Sequence, residues 1–317
     1  MRRSGSPWTG MGVVIAKELA DHLGSARMLL LEGLVFLTGL GAVTTSIQTI
    51  RANIGQDPFL FLKLLTVSRE PLPSFVLLLG FLTPLMAIAL GFDSVNGEFN
   101  RRTMSRVLAQ PIYRDALLLG KFLAGLGTLS VGLISLWLLV IGLGLITLGL
   151  PPNTEEVVRM VAFLFTTIAY GGVWLALAML FSVRFASPAT AALGSLSVWL
   201  LFAVFWSILT PLASDIIAGP PGDMLFPNLE NIELNLSLAR LSPNTLYAET
   251  TLAILHPTTR TLGPVLFNQV QGALLGAPLP VGQSILLIWP QLTGLVSATL
   301  ILFTATYVVF QRQEIRA

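Results

Sequence analysis

Six long apolar segments, separated by short polar stretches, fill most of this chain and constrain nearly everything else about it. Inside hydrocarbon a backbone must satisfy its own hydrogen bonds, so each segment is expected to be a helix. Each needs roughly 20 apolar residues to cross about 30 Å. The segments run over Met28–Ile50, Phe75–Phe92, Leu117–Leu148, Val157–Val183, Ala189–Leu212 and Ile285–Phe310. The third is too long for one untilted crossing. It either tilts, projects from the bilayer or breaks near its glycines.

Composition agrees with a membrane bundle. Hydrophobic residues make up 54% of the chain and charged residues 11%, against about 25% charged in soluble domains. The expected fold is an all-α integral membrane protein, one transmembrane domain over residues 1–317. Five spans occupy 28–212, a large extracytoplasmic loop 213–284, the last span 285–310 and a short tail 311–317. A net charge of +2 is too small to suggest a nucleic-acid partner. Without cysteine there are no disulfides, zinc–thiolate sites or iron–sulfur clusters. His22 and His256 lie far apart, so no metal site is expected.

Lys and Arg set the orientation. With both termini cytoplasmic, the inner segments 1–27, 93–116, 184–188 and 311–317 hold eleven Lys and Arg residues, and Lys121 makes twelve. Six lie on the other side, spread over more residues. The first apolar stretch starts too late and runs too long for a signal peptide, so it reads as a retained helix. Met1 and Met11 are both candidate starts, and residues 1–10 read as dispensable.

Residues 13–23 form a shorter helix. Ile15, Ala16, Leu19, Ala20 and Leu23 share one face, and Lys17, Glu18, Asp21 and His22 take the other. It reads either as an interfacial helix on the inner surface or as an extension of the first span. The loop 213–284 is rich in proline, with short helices expected at 245–255 and 264–275. Another apolar patch, Phe59–Val67, interrupts the first outer loop.

The most informative polar stretch follows the second span. At 100° per residue, Glu98, Arg101, Arg102 and Arg106 cluster on one arc of a helix, with Phe99, Met104, Val107 and Leu108 opposite. Pro111 ends that helix. Such a charged helix between two spans either docks a soluble partner or merely anchors the loop at lipid headgroups.

The residues from 91 to 121 resemble the signature of ABC type-2 transporter permeases. That signature has an acidic residue near the end of the second span, then Glu, Thr, Leu-Ala-x-Pro, Arg and Gly-Lys. Here these are Asp93, Glu98, Thr103, Leu108-Ala109, Pro111, Arg114 and Gly120-Lys121. The family's usual Gly before the Thr is Arg102. Ala16-Lys17-Glu18-Leu19, with Ser25 and Arg27, resembles the family's interfacial helix. The six-span layout and the large loop before the last span match as well, and the chain resembles most the permeases related to that for nitrous-oxide-reductase maturation and the multidrug or sodium exporters of that group. The resemblance implies a permease of an ABC exporter in a prokaryotic inner membrane. It implies a second permease chain, alike or related, and two separate ATPase subunits that bind ATP and magnesium. The loop helix, with Glu98, Phe99, Arg101, Arg102, Thr103 and Arg106, would couple to the ATPase. Asp93, Pro111, Arg114, Gly120 and Lys121 would hold the motif's shape. No cofactor is expected on this chain. Gly120-Lys121 lacks the Gly five residues earlier that a phosphate-binding loop needs, since Asp115 stands there.

Other candidates compete less well. Glu32, near the inner end of the first span, is a functional candidate because carboxylates inside membranes are costly. It otherwise reaches water or pairs with an inner Arg or Lys121. Lys121 itself reads as a snorkelling side chain. Gly120, Ala124, Thr128 and Gly132 make a small-residue ladder for close helix packing. The tryptophans line an apolar route or face lipid. A membrane enzyme needs converging His, Asp, Glu or Ser, and Asp93, Glu98 and His22 form no such motif. A secondary transporter calls for repeats or broken, charged helices, and neither is evident. The sparse charge within the spans favours an amphiphilic or lipid-like substrate over inorganic ions.

Overall fold

The computed structural model describes residues 8, 10–51, 59–68, 73–103, 112–222, 227–262 and 278–313. Among them the protein is helical throughout. The helices are α1 (Met11–Leu23), α2 (Ala26–Arg51), α3 (Leu60–Thr66), α4 (Phe75–Gly91), α5 (Asn96–Asn100), α6 (Arg114–Leu148) and α7 (Thr154–Arg184). After them come α8 (Pro188–Leu200), α9 (Trp206–Ala218), α10 (Leu229–Ala239), α11 (Pro243–Leu255) and α12 (Val281–Arg312). A π-helical turn, Leu201–Phe205, joins α8 to α9. Six helical stretches are long and apolar enough to cross a membrane: α2, α4 with its continuation to Asn100, α6, α7, α8–α9 and α12.

Local chemistry sets the boundaries. Asn153 caps α7 by accepting from the Glu156 amide at 2.8 Å, and the Glu156 carboxylate accepts from the Asn153 amide at 2.9 Å. This reciprocal box satisfies two amides that a helix start leaves open. Ser74 caps α4. Pro188 starts α8, where its missing N–H matters least. The third span does not break at its glycines. It runs as one 35-residue helix, about 50 Å long at 1.5 Å per residue, and so exceeds the roughly 30 Å core of a bilayer. It stops at Gly149, which takes the left-handed conformation with φ 69°.

The fourth span is the hub. Of its most apolar window 67% is buried within the protein, against 11% for the fifth span. Tyr170, Trp174 and Phe163 are fully enclosed on it. The second span approaches it closely at Gly91, where a Cβ would sit 2.7 Å from that of Ala178. A side chain there would push the two spans apart.

The short elements differ more from expectation. The expected helix at 245–255 is α11, starting two residues earlier. The apolar patch at 59–67 is α3, whose Phe61 and Leu64 pack over Gly144 of α6. α10 is an element that the apolar pattern does not announce. The stretch 264–275 lies outside the described residues, as do Arg106 and Pro111. Parity of six spans puts α1, α5 and the end of α12 at one end of the bundle. α3, α10 and α11 lie at the other.

Candidate functional site

At the first of these ends α1 lies along the opening turns of α6. Gly120 makes this possible: a Cβ there would stand 2.9 Å from Cγ1 of Val14. Glu18, one helical turn beyond Val14, shares its face and is carried to Lys121. The polar face read from the sequence is therefore the one turned toward α6 at this residue, with Lys17, Glu18, Asp21 and His22 lining one cavity. Glu18 is buried, whereas Ala16 and Ala20 are exposed.

α5 reaches the same point from the other side. The Ser182 hydroxyl, near the end of α7, accepts the Val95 amide at 3.0 Å and the Asn96 amide at 3.3 Å. The Asn96 side chain donates to the Phe185 carbonyl at 3.1 Å, and that of Asn100 to Ala186 at 3.1 Å. Pinned in this way, α5 presents Glu98 to Lys121.

The result is a buried ion triad. Lys121 Nζ donates to Glu98 Oε1 at 2.6 Å and to Glu18 Oε1 at 2.9 Å. Only 4% of Lys121 is exposed, so it does not snorkel. A charge at that depth is tolerated because two carboxylates meet it. Lys17 adds a contact to Glu18 at 3.0 Å and one to Asp21 at 3.1 Å. Burial alone would raise the Glu18 carboxyl, but the charge and hydrogen bond of Lys121, with those of Lys17, hold it below the usual carboxylate range. His22 is pushed below its ordinary range by burial, which outweighs the opposing pull of the Glu18 and Asp93 charges, while the Arg27 and Lys121 charges add to the lowering.

A second ion pair lies beside the triad. Arg27 grips Asp93 with both guanidinium nitrogens, at 2.9 and 3.3 Å, and sits 4.9 Å from the centre of the Phe92 ring. The first span is thereby tied to the loop. The polar cavity enclosed by α1, this loop and α6 has a volume of about 500 Å³. Its four cationic side chains face four anionic ones. Such a balance suits a joint between elements better than a well for an ion. Among the described residues no three His, Asp or Glu side chains converge as metal ligands would.

The loop helix is shorter than its charge pattern suggests. It ends at Asn100, and Arg102 takes a left-handed backbone conformation with φ 56°. The single arc drawn through Glu98, Arg101 and Arg102 therefore does not exist. Glu98 points inward, while Arg101 and Arg102 are exposed beyond the helix end. Thr103 closes the turn, its amide donating to the Glu98 carbonyl at 3.0 Å. Phe99 is half-buried and packs against the core. Left-handed geometry also explains why glycine is usual at the position of Arg102.

Other residues of the motif fall elsewhere. Arg114 donates to the carbonyls of Gln311 and Gln313, at 3.4 and 3.1 Å, and lies over the Phe310 ring. Asp115 accepts from Gln311. The start of the third span is thus tied to the end of the sixth. Among the described residues Glu32 pairs with neither Lys121 nor an arginine. Its Oε1 is buried without a hydrogen-bond partner among the described residues, close to Gly132 and Met86. Sequence reasoning missed that Glu18 and Arg27 belong to the site. The available signal was Lys121 itself, a cation on an apolar span that calls for an anion.

Comparisons with known proteins bear on what such a joint is for. The sequence profile of the ABC-2 family transporter proteins matches residues 13–315. A probable ABC transporter permease protein NosY of Pseudomonas aeruginosa is 31% identical over 209 residues, 63% of this chain and 68% of that protein. Its namesake in Stutzerimonas stutzeri is 27% identical over 307 residues, covering 95% of this chain and 97% of that one.

Proposed function

Because the chain belongs to the ABC-2 family of transporter proteins, we propose that it is the permease of an exporter, driven by separate ATPase subunits at its α1–α5 end. That end faces the cytoplasm, as the Lys and Arg excess demands, and the membrane is a prokaryotic inner membrane. Two copies, or this chain and a related one, form the route between two ATPases. The observation that carries this reading is the Glu18–Lys121–Glu98 triad. It binds the loop helix and α1 to the third span through charges that are nearly all buried. A push on the loop is therefore delivered to a helix that crosses the whole membrane.

This reading divides labour within the loop. Glu98 belongs to the joint, and the exposed Arg101 and Arg102 supply the docking charge. The experiment follows this division. Coexpressed with its ATPase, the Arg101→Glu, Arg102→Glu variant should insert normally yet recover less ATPase in a pull-down. A charge reversal at such an interface weakens association by about 2–5 kcal/mol where the contact is buried. Glu98→Gln should keep the ATPase bound but lower substrate-stimulated hydrolysis. Undiminished recovery of ATPase with the double variant would sink the docking assignment. Robust turnover of a lipid by the isolated chain would replace the transporter reading with an enzyme.

A further inference from the structure

At the end opposite the triad a cavity of about 400 Å³ lies between α4, α7, the fifth span and α11. That is within the range of small-molecule sites, roughly 300–1,000 Å³. Leu77 and Phe81 line it and are exposed on a membrane-crossing helix, so the cavity opens to molecules dissolved in the bilayer. Taking a full charge through hydrocarbon is costly, so this route favours an uncharged guest. Further in, the wall is aromatic. Tyr170 and Tyr247 stack with centroids 4.3 Å apart, and Phe81 meets Trp199 edge to face at 5.1 Å. Ring surfaces of this kind suit a guest that is itself aromatic.

The polar groups of this wall narrow the guest further. The Tyr170 hydroxyl has one hydrogen and faces two acceptors, the Gly80 carbonyl at 3.1 Å and Asn244 Oδ1 at 3.0 Å. The indole N–H groups of Trp174 and Trp199 stand near that hydroxyl. Among the described residues neither N–H meets it, or any other acceptor, in hydrogen-bond geometry. Trp174 is 1% exposed and Trp199 6%. A donor buried at that depth without an acceptor is costly and rare in native proteins. Trp174 is walled in on the hub helix, but Trp199 lines the cavity. An oxygen atom brought into the cavity can therefore accept the Trp199 N–H, with Asn244 and Tyr170 beside it.

We propose that this cavity binds an uncharged aromatic molecule from the bilayer, through a carbonyl or ether oxygen that accepts the indole N–H of Trp199. The site stands on the cavity and its donor, independently of the exporter reading, and its test needs no ATPase.

The full chain, labelled with ¹⁵N at tryptophan and ¹³C at tyrosine, is placed in nanodiscs of uncharged lipid for NMR. The ligands are 2-acetylnaphthalene and 2-ethylnaphthalene, which lacks the oxygen. The Trp199 N–H signal is the one missing from Trp199→Phe. Acetylnaphthalene should move it downfield saturably, and ethylnaphthalene should not. The ring signals of Tyr170 and Tyr247 report occupancy by either ligand. By that measure the ketone should bind about tenfold more tightly, or about 1.4 kcal/mol, and Trp199→Phe should remove most of the difference. Ala203→Phe and Ala248→Phe fill the cavity from two different elements and should abolish saturation. Equal affinity for the two ligands in the parent protein would overturn the hydrogen bond to Trp199. So would a Trp199 signal that stays in place while the tyrosine signals saturate, as when water already holds the N–H. Shifts that grow linearly with ligand, that are absent because a second copy fills the space, or that saturate in both Ala→Phe variants would overturn the site. Binding of 2-naphthoate as tight as that of the ketone would overturn the uncharged class.

Discussion

Among the described residues the protein buries one cation at each end of its bundle, and the two are held in different ways. Lys121, 4% exposed, is met by the carboxylates of Glu18 and Glu98, which come from separate short helices. Arg159, 1% exposed, has one carboxylate, Glu155 at 2.8 Å, one turn before it on α7. Its other partners are the carbonyl of Ile254 at 2.8 Å, that of Leu279 at 2.5 Å and the Ser284 hydroxyl at 3.1 Å. A guanidinium has five donors in a rigid fork and can lock several backbone segments at once. An ammonium is a point charge on a flexible stem, and its partners can exchange. Arg159 thus fixes the end of α11 and the start of α12 against the hub helix. Lys121 joins two short helices, α1 and α5, to the third span. The contrast suits a transporter that is worked from one end and held together at the other.

Removing the charge at Lys121 should have the largest effect. Lys121→Met leaves two buried carboxylates facing each other. Breaking such a pair costs about 3–5 kcal/mol, which thermal unfolding in detergent will read. Combining it with Glu18→Gln and Glu98→Gln should restore most of the stability, because buried ions replaced together are often neutral. ATP hydrolysis should nevertheless stay unresponsive to substrate in the combined variant. If coupling returned with stability, the triad would be only a structural clamp. Acid acts in the same direction. The carboxyl of Glu18 is held below its ordinary 4.5. Its contribution is therefore complete above that pH and is lost as the pH falls through the lower, folded value.

Arg159→Lys should be milder and of a different kind. A lysine keeps the charge but cannot reach the carboxylate, two carbonyls and a hydroxyl together. Each buried acceptor left open costs about 1–3 kcal/mol. Unfolding should come earlier, with substrate-stimulated hydrolysis retained in the fraction that remains folded. Lost coupling in a stable Arg159→Lys protein would erase the distinction between the two ends.

The spans were legible because hydropathy over 20 residues needs no knowledge of partners. Phe75–Phe92 was read for a helix that ends at Gly91. The triad was not legible, because Glu18 lies 103 positions from Lys121 and nothing local reports such a pairing. Helical periodicity also misled at α5. It continues through any sequence without a breaker, and Arg102 looks like an ordinary helix former. Only the glycine usual at that position in the family hinted at a left-handed turn. At α10 the cap was the missed signal: Asn228 accepts the Asn231 amide at 3.3 Å, among prolines that drew attention away from it.

The smallest effect expected is at Arg102, and it separates shape from charge at the docking end. A non-glycine residue in the left-handed region is strained by roughly 1–2 kcal/mol. Glycine relieves that strain but loosens the unfolded chain by roughly 0.4–1 kcal/mol. Arg102→Gly should therefore stabilise the protein by at most about 1.6 kcal/mol, detectable as a small rise in unfolding temperature. Arg102→Asn tolerates the same backbone and likewise removes the charge. If docking depends on the cation, both variants should lose ATPase in the pull-down equally, whatever their stabilities. If the turn's shape is what the ATPase reads, both should bind as the parent does, and Arg102→Lys should bind no better than either. Loss of binding in Arg102→Gly alone would point instead to a turn kept rigid by its side chain, and the charge assignment at this residue would fall.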